Sequence, residues 1–377
     1  MQVVQLAARH GAKLRCDEVA ARYNTQSFPA FLELFKWATS YLRDPQDYAL
    51  LCEDPGLHLA AENCVYAEVT LSVGVMLLRK QNVEANFAAI RDAMDRYAKP
   101  SGMRVRWIFD AVRQFGPEKA MEVARLAAQM KSAGVVAFGL GGDEESLPAS
   151  DFRKVFDYAA AEGLHRLAHA GEMAGPQAIR DAIEILGAER IGHGIAAIHD
   201  EKLMDLLIER QILLEICPTS NLRTGALAKL LATKVSVSDR NEFDKTSTSQ
   251  APASLRQGMA LAVPKESPNS GVSTPEGQHF PRVGTNEPVL NEPSLENHPL
   301  AQFVARGVPV TLASDDPAMF RTTLLAEYTL ALAKMGLTLP QLVSVAEASF
   351  RHAFLPAPEK NSLLANFRST ASKLNPH

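Results

Sequence analysis

Short apolar, β-branched runs recur along the chain at Cys64 to Val73, Met103 to Val112, Gly134 to Gly142, His165 to Glu172, Arg190 to Ile195, Leu213 to Ser220 and Pro309 to Ser314. Between and after them the apolar positions return every three or four residues, as on the buried face of a helix: Asn82 to Tyr97, Pro117 to Ala133, Pro148 to Glu162, Pro176 to Leu186, His199 to Glu209 and Thr322 to Met335. Strands alternating with helices predict parallel β-α units. There are seven such strands, whereas a closed parallel barrel has eight. The chain before Cys64 has only helical spacing, at Val3 to His10, Asp17 to Tyr23, Phe28 to Tyr41 and Pro45 to Cys52, and His58 follows in a loop-like stretch. The pattern is that of an α/β, TIM-type (β/α)8 barrel without its first strand, with helical additions near the N-terminus. It places the absent strand upstream of Met1.

Length and composition fit one large domain spanning residues 1 to 377: 46 % hydrophobic residues allow a sizeable core, and single α/β barrels commonly exceed 200 residues. A net charge of −4 without a basic block gives no footprint for nucleic acid, and no apolar run reaches the length of a membrane span. The first fifteen residues lack a secretory pattern, so a cytoplasmic location is expected. Cys16, Cys52, Cys64 and Cys217 show no CxxC spacing, which reads as reduced thiols rather than bridges or a zinc finger. From Lys234 to Asn297 the composition turns to Ser, Pro, Asn, Thr, Glu and Gly, which predicts a polar, disordered insertion at a surface loop; a lid or partner-binding arm is the other reading.

Three strands end in ionisable residues: Leu167-Ala-His169-Ala-Gly-Glu172, Arg190-Ile-Gly-His193-Gly194 and Pro309-Val-Thr-Leu-Ala-Ser-Asp315-Asp316. Side chains at the C-terminal ends of neighbouring parallel strands converge, and catalytic groups of such barrels sit there. His169 is a natural neutral nitrogen donor and Asp315 a hard oxygen donor, a mixed set that suits zinc with an open position. Glu172 would then serve as a proton shuttle and His193 would stabilise developing charge. Asp316 must point elsewhere than Asp315 and is free to bond a substrate. Singly, each residue has a plainer explanation, such as a structural histidine or an Asp-Asp-Pro turn; the set points to a site. Phe138-Gly-Leu-Gly-Gly142-Asp-Glu144 is glycine-rich but lacks the Lys-Ser/Thr of a phosphate loop.

His169-Ala-Gly-Glu172, Arg190-Ile-Gly-His193-Gly194, Cys217-Pro-Thr-Ser-Asn221, His298-Pro-Leu300, Ser314-Asp-Asp-Pro317 and Glu327-Tyr328 together resemble the adenosine deaminase family of metal-dependent (β/α)8 hydrolases, through nearly all of the chain except the insertion. The resemblance implies His169 and Asp315 as zinc ligands, Glu172 as the group that protonates the ring nitrogen, and His193 as the residue that orients the attacking hydroxide. It also implies Gly142 and Asp316 as contacts to the purine, and hydrolytic deamination of a small purine nucleoside as the activity. The H-x-E and P-C-x-x-C pattern of the other zinc deaminases is absent. One element departs from the family: no His-x-His pair occurs anywhere in the sequence, so two metal ligands and the acidic residue that follows them have no counterpart, and neither His10 nor His58 is placed to substitute. Three readings stand at this point. One is an adenosine deaminase-type enzyme; another is a sibling acting on adenine or aminodeoxyfutalosine; the third is a catalytically impaired, deaminase-like binding protein.

Overall fold

Every one of the seven apolar runs forms a strand: β1 (Tyr66–Leu71), β2 (Arg104–Val112), β3 (Val135–Gly141), β4 (His165–Ala170), β5 (Arg190–His193), β6 (Leu213–Ile216) and β7 (Val310–Leu312). The computed structural model describes residues 2–233 and 294–373, so the insertion expected over 234–297 lies outside the described residues apart from its last four. The strands pair in chain order, all parallel, into one sheet curled as a half-barrel, in accord with the TIM-type expectation. Among the described residues β1 and β7 are the two edges, and no eighth strand joins them.

Because side chains alternate across a strand, the sheet has two apolar faces with different partners. Outward residues such as Phe109, Phe138, Ile191 and Leu214 pack under the helical shell in the main core. Inward residues Ile108, Ala137 and Leu167 form a separate small cluster, and Phe354 joins them from the segment after helix Leu339–Arg351. Two strand positions further along, the interior changes from apolar to ionisable: Asp110 follows Ile108, and His169 follows Leu167.

The N-terminal helices form as the periodicity predicts, at Gln2–Arg9, Cys16–Arg22, Phe28–Thr39 and Pro45–Ala61. The last of these corrects one expectation, since it continues through Pro55 and puts His58 on a helix rather than in a loop. Proline costs an interior helix one hydrogen bond and a clash, and packing offsets it here. Gly56 lies against Tyr97 and Met94 of helix Val83–Ser101 so closely that a Cβ would stand 2.7 Å from Tyr97 Cδ2. Periodicity within the helix alone could not register that contact. Two of these helices then run back over the barrel mouth, where Phe31 stacks on Phe320 at 5.0 Å and Arg321 Nη2 donates to the Ala20 carbonyl.

Candidate active site at the C-terminal rim

Adjacent strand ends bring the predicted residues together. In the β4–β5 register His169 lies beside Gly192 and Ala170 beside His193. Glycine is required at 192 because the His169 ring lies across it, and a Cβ there would stand 2.9 Å from Cδ2. The His169 and His193 rings meet edge to face, centroids 5.1 Å apart. His193 Nε2 is 3.6 Å from Glu172 Oε2 and 3.8 Å from Asp315 Oδ2. His193 and Asp315 both hold left-handed backbone (φ 62° and 54°), and neither follows a helix end where that conformation is routine. Such strain costs of order 1–3 kcal/mol per residue and gathers at functional sites.

Burial sets the protonation states. His169 is pushed down to about 4, first by burial and then by the neighbouring His193, which leaves a neutral imidazole with a free lone pair. Glu172 is pushed up to about 7, chiefly by burial, with Asp315 and Glu144 adding to the rise. The Thr224 hydroxyl, 2.9 Å from the Ser220 carbonyl and 3.1 Å from Glu172 Oε1, works against the rise by donating toward the carboxylate, and burial outweighs it. Asp316 also rises, to about 8, through burial and the adjacent Asp315.

His193 is subject to opposed influences. Burial lowers it, Glu172 and Asp315 more than compensate, and the net direction is upward. A hydrogen-bond chain fixes its tautomer: Leu300 N–H donates to His298 Nδ1 at 3.1 Å, His298 Nε2 donates to Asn221 Oδ1 at 3.3 Å, and Asn221 Nδ2 donates to His193 Nδ1 at 3.0 Å. The chain is anchored by a backbone N–H and cannot reverse without leaving a histidine nitrogen unpaired. His298, held neutral by burial at about 3, suits this direction. The neutral form of His193 therefore carries its proton on Nε2, facing Glu172 and Asp315.

Three further residues matter that sequence reasoning left without a role. The Glu144 carboxylate accepts the N–H groups of Gly171, Glu172 and Met173 at 2.7, 2.9 and 3.0 Å, clamping the turn that carries Glu172. Asp110, buried and pushed up to about 8 by burial, fits only because residues 139 and 141 lack side chains; Cβ atoms there would lie 2.5 and 2.8 Å from its oxygens. Cys217 Sγ falls within 4.8 Å of His193 and Asp315 donor atoms, as His169 does with Glu172 and His193. Only the Cys-Pro after a strand hinted at it. Gly142, at the end of β3 with φ 94°, packs on Gln114 beside this group. His10 lies elsewhere, paired with Asp47 at 2.8 Å, and His58 bonds the carbonyl of Asp54.

Two overlapping donor clusters that share His193, one with His169 and Glu172 and the other with Cys217 and the exposed Asp315, can hold a cation and pass protons. The comparisons with known proteins agree in direction. The chain is 33 % identical to an aminodeoxyfutalosine deaminase of Streptomyces coelicolor over 95 % of its own length and 77 % of that protein's. Its fold is similar to a solved adenine deaminase of Arthrobacter aurescens (TM-score 0.75, 22 % identity, 98 % and 94 % of the two chains). It is also similar to an amidohydrolase of Burkhoderia ambifaria solved with bound Zn (TM-score 0.74, 18 % identity, 99 % and 86 % of the two chains). Since the adenosine deaminase family model matches residues 2–259 and 290–369, and the strand-end residues that carry the resemblance converge on one point, the chain belongs to the adenosine deaminase family.

Proposed function

We propose that this protein deaminates a 6-aminopurine nucleoside hydrolytically, with zinc, and that its substrate is of the adenosine or aminodeoxyfutalosine type. The observation that carries this reading is the meeting of His169, Glu172, His193 and Asp315 at the rim, with Glu172 poised to hold a proton near neutral pH. A neutral imidazole from His169 and a carboxylate from Asp315 would hold the metal, with His193 and Cys217 donor atoms close by, while the two ligands of the family's His-x-His pair have no counterpart in the sequence. When bound, zinc supplies a Lewis acid that polarises water and lowers its pKa toward neutrality.

The chain's own residues account for the remaining steps. Glu172, protonated, gives its proton to the ring nitrogen beside the amino-bearing carbon, which makes that carbon electrophilic; its pKa near 7 matches the task. His193 presents Nε2–H toward the attacking oxygen and fixes its direction. The protonated carboxyl of Asp316 donates to a purine nitrogen on the imidazole side, and Gly142 offers its backbone N–H at the opposite edge. Purified protein supplemented with zinc is to be offered adenosine, adenine and aminodeoxyfutalosine, with ammonia release and the ultraviolet change at the purine measured together. Turnover of adenosine or aminodeoxyfutalosine is expected. Turnover of adenine alone, or a zinc-loaded protein inert toward all three, would overturn the reading.

A further inference from the structure

With no counterpart of the family's His-x-His pair in the sequence, a metal held by His169 and Asp315 has only two protein ligands. Catalytic zinc normally has three, with water or substrate in the fourth place. The end of β6 supplies a further donor. Cys217 follows Ile216, which pairs with Leu312 of β7, and the Ala313 N–H donates to the Ile216 carbonyl at 2.9 Å. That register sets Cys217 beside the turn that carries Asp315. Cys217 Sγ, a His193 ring nitrogen and an Asp315 carboxylate oxygen lie within 4.8 Å of one another. A tetrahedral zinc ion with sulfur and oxygen ligands keeps those atoms roughly 3.6 Å apart, so the group must close by no more than about 1.2 Å.

The four residues differ in what they can give. Asn221 donates to His193 Nδ1, which leaves the proton on Nε2, the nitrogen facing Asp315, and no lone pair there. Among the described residues neither ring nitrogen of His169 has a hydrogen-bond partner. The two most buried cysteines are equally enclosed but differently placed. Cys52 belongs to the main apolar core, as a structural thiol does, whereas Cys217 belongs to none of the apolar clusters. Its thiol makes one long contact, to the Glu215 carbonyl at 3.5 Å, and a thiol is a weak donor, so little is lost when it turns to another partner. Without a cation the thiol keeps its proton, because burial and the carboxylates of Asp315 and Glu215 hold it well above its ordinary value. A divalent ion deprotonates a coordinating thiol outright, and the proton leaves to solvent.

We propose that Cys217, as a thiolate, is the third protein ligand of the metal in this chain, beside His169 and Asp315. The proposal rests on the reading of the rim as a zinc site, and it replaces one of the two missing family ligands with a softer one. A thiolate in the shell favours zinc or cadmium over manganese or magnesium, which prefer oxygen.

The test is X-ray absorption at the zinc edge on the purified full chain, kept reduced with a phosphine rather than a thiol and loaded with one equivalent of zinc. One sulfur neighbour at about 2.3 Å is expected, with nitrogen and oxygen neighbours at about 2.0–2.2 Å. Cys217→Ser should lose the sulfur neighbour, and its zinc affinity should fall by at least the roughly ten-fold that loss of an outer support costs. Cobalt gives a second readout, a sulfur-to-cobalt charge-transfer band in the near ultraviolet that Cys217→Ser abolishes and Cys52→Ser retains. The spectrum of the unaltered chain decides the matter even if Cys217→Ser does not fold. Bound zinc with nitrogen and oxygen neighbours alone, or a sulfur neighbour that survives Cys217→Ser, would overturn the ligand and leave the deaminase reading intact. A chain that takes up no zinc would overturn this ligand and the zinc-dependent reading together.

Discussion

Buried ionisable groups occupy both ends of the barrel interior, under opposite rules. At the N-terminal end Arg190 enters from β5, its Nη2 2.5 Å from Glu68 of β1 and its Nε 2.9 Å from Glu215 of β6. Its guanidinium lies 3.6 Å from the Phe354 ring centre, and that ring is stacked in turn on His165 at 4.2 Å. Glu68 Oε1 also accepts the Tyr66 hydroxyl and the Phe354 N–H, both at 2.6 Å. Each charge there meets a partner, and Arg190 is raised further from deprotonation although burial alone would lower it. At the C-terminal rim Glu172 has only the His193 ring, 3.6 Å away, Asp110 and Asp316 have no ion-pair partner among the described residues, and burial pushes all three up toward the neutral acid. Groups that satisfy one another hold strands together, and groups left unsatisfied are free to exchange protons with a ligand. The difference separates stability from chemistry within a single interior.

The sharpest way to break this comparison is to substitute one group at each end. Glu172→Gln keeps shape and removes the titrating proton; turnover should fall by ~10²–10⁴, with thermal stability and metal content held. Unchanged turnover would remove Glu172 from the mechanism. Arg190→Met should behave inversely. It leaves Glu68 and Glu215 buried and unpaired, a loss of about 3–5 kcal/mol by urea unfolding, while activity per folded molecule changes little. A variant that folds normally but loses activity would show that the two ends are not separate.

Smaller effects sharpen the contrast. Asn221→Asp replaces the amide that donates to His193 Nδ1 with an acceptor, so the tautomer set by the Leu300–His298 chain is lost. Turnover should drop about 10–100-fold, as for other outer supports of a reactive histidine, and nitrogen NMR of His193 should show a proton moved to Nδ1. An unmoved proton would remove the chain's directing role.

Asp110→Asn tests the unsatisfied rule at its mildest. The Asp110 carboxyl is raised to about 8 in the fold, against roughly 3.9 in an unfolded chain. The unfolded chain therefore gives up this proton first. The stability contributed by Asp110 is full below pH 4 and is lost steadily as pH climbs toward 8. Relative to the natural protein, the Asn variant should gain stability from pH 4 to 8 and no further above that. Parallel curves across this range would mean that Asp110 is already ionised in the fold.

The strands and most helices were legible because period two and period 3.6 are local properties of the chain, and His169, Glu172, His193 and Asp315 were legible because each ends an apolar run. His58 was not, since what carries its helix past Pro55 is the contact of Gly56 with Tyr97 of another element. Glu144 gave no local sign of its clamp, whose partners lie at 171–173, and Arg190 none of its pairing with β1 and β6. Sequence by itself determined which residue types stand at which strand ends, and with them the family. Tertiary structure alone decided which of the buried charges find partners and which do not. Periodicity fixes the face on which a side chain lies, whereas a proton's affinity depends on every group nearby, brought there from strands far apart in the sequence, as Asp315 is for Asp110.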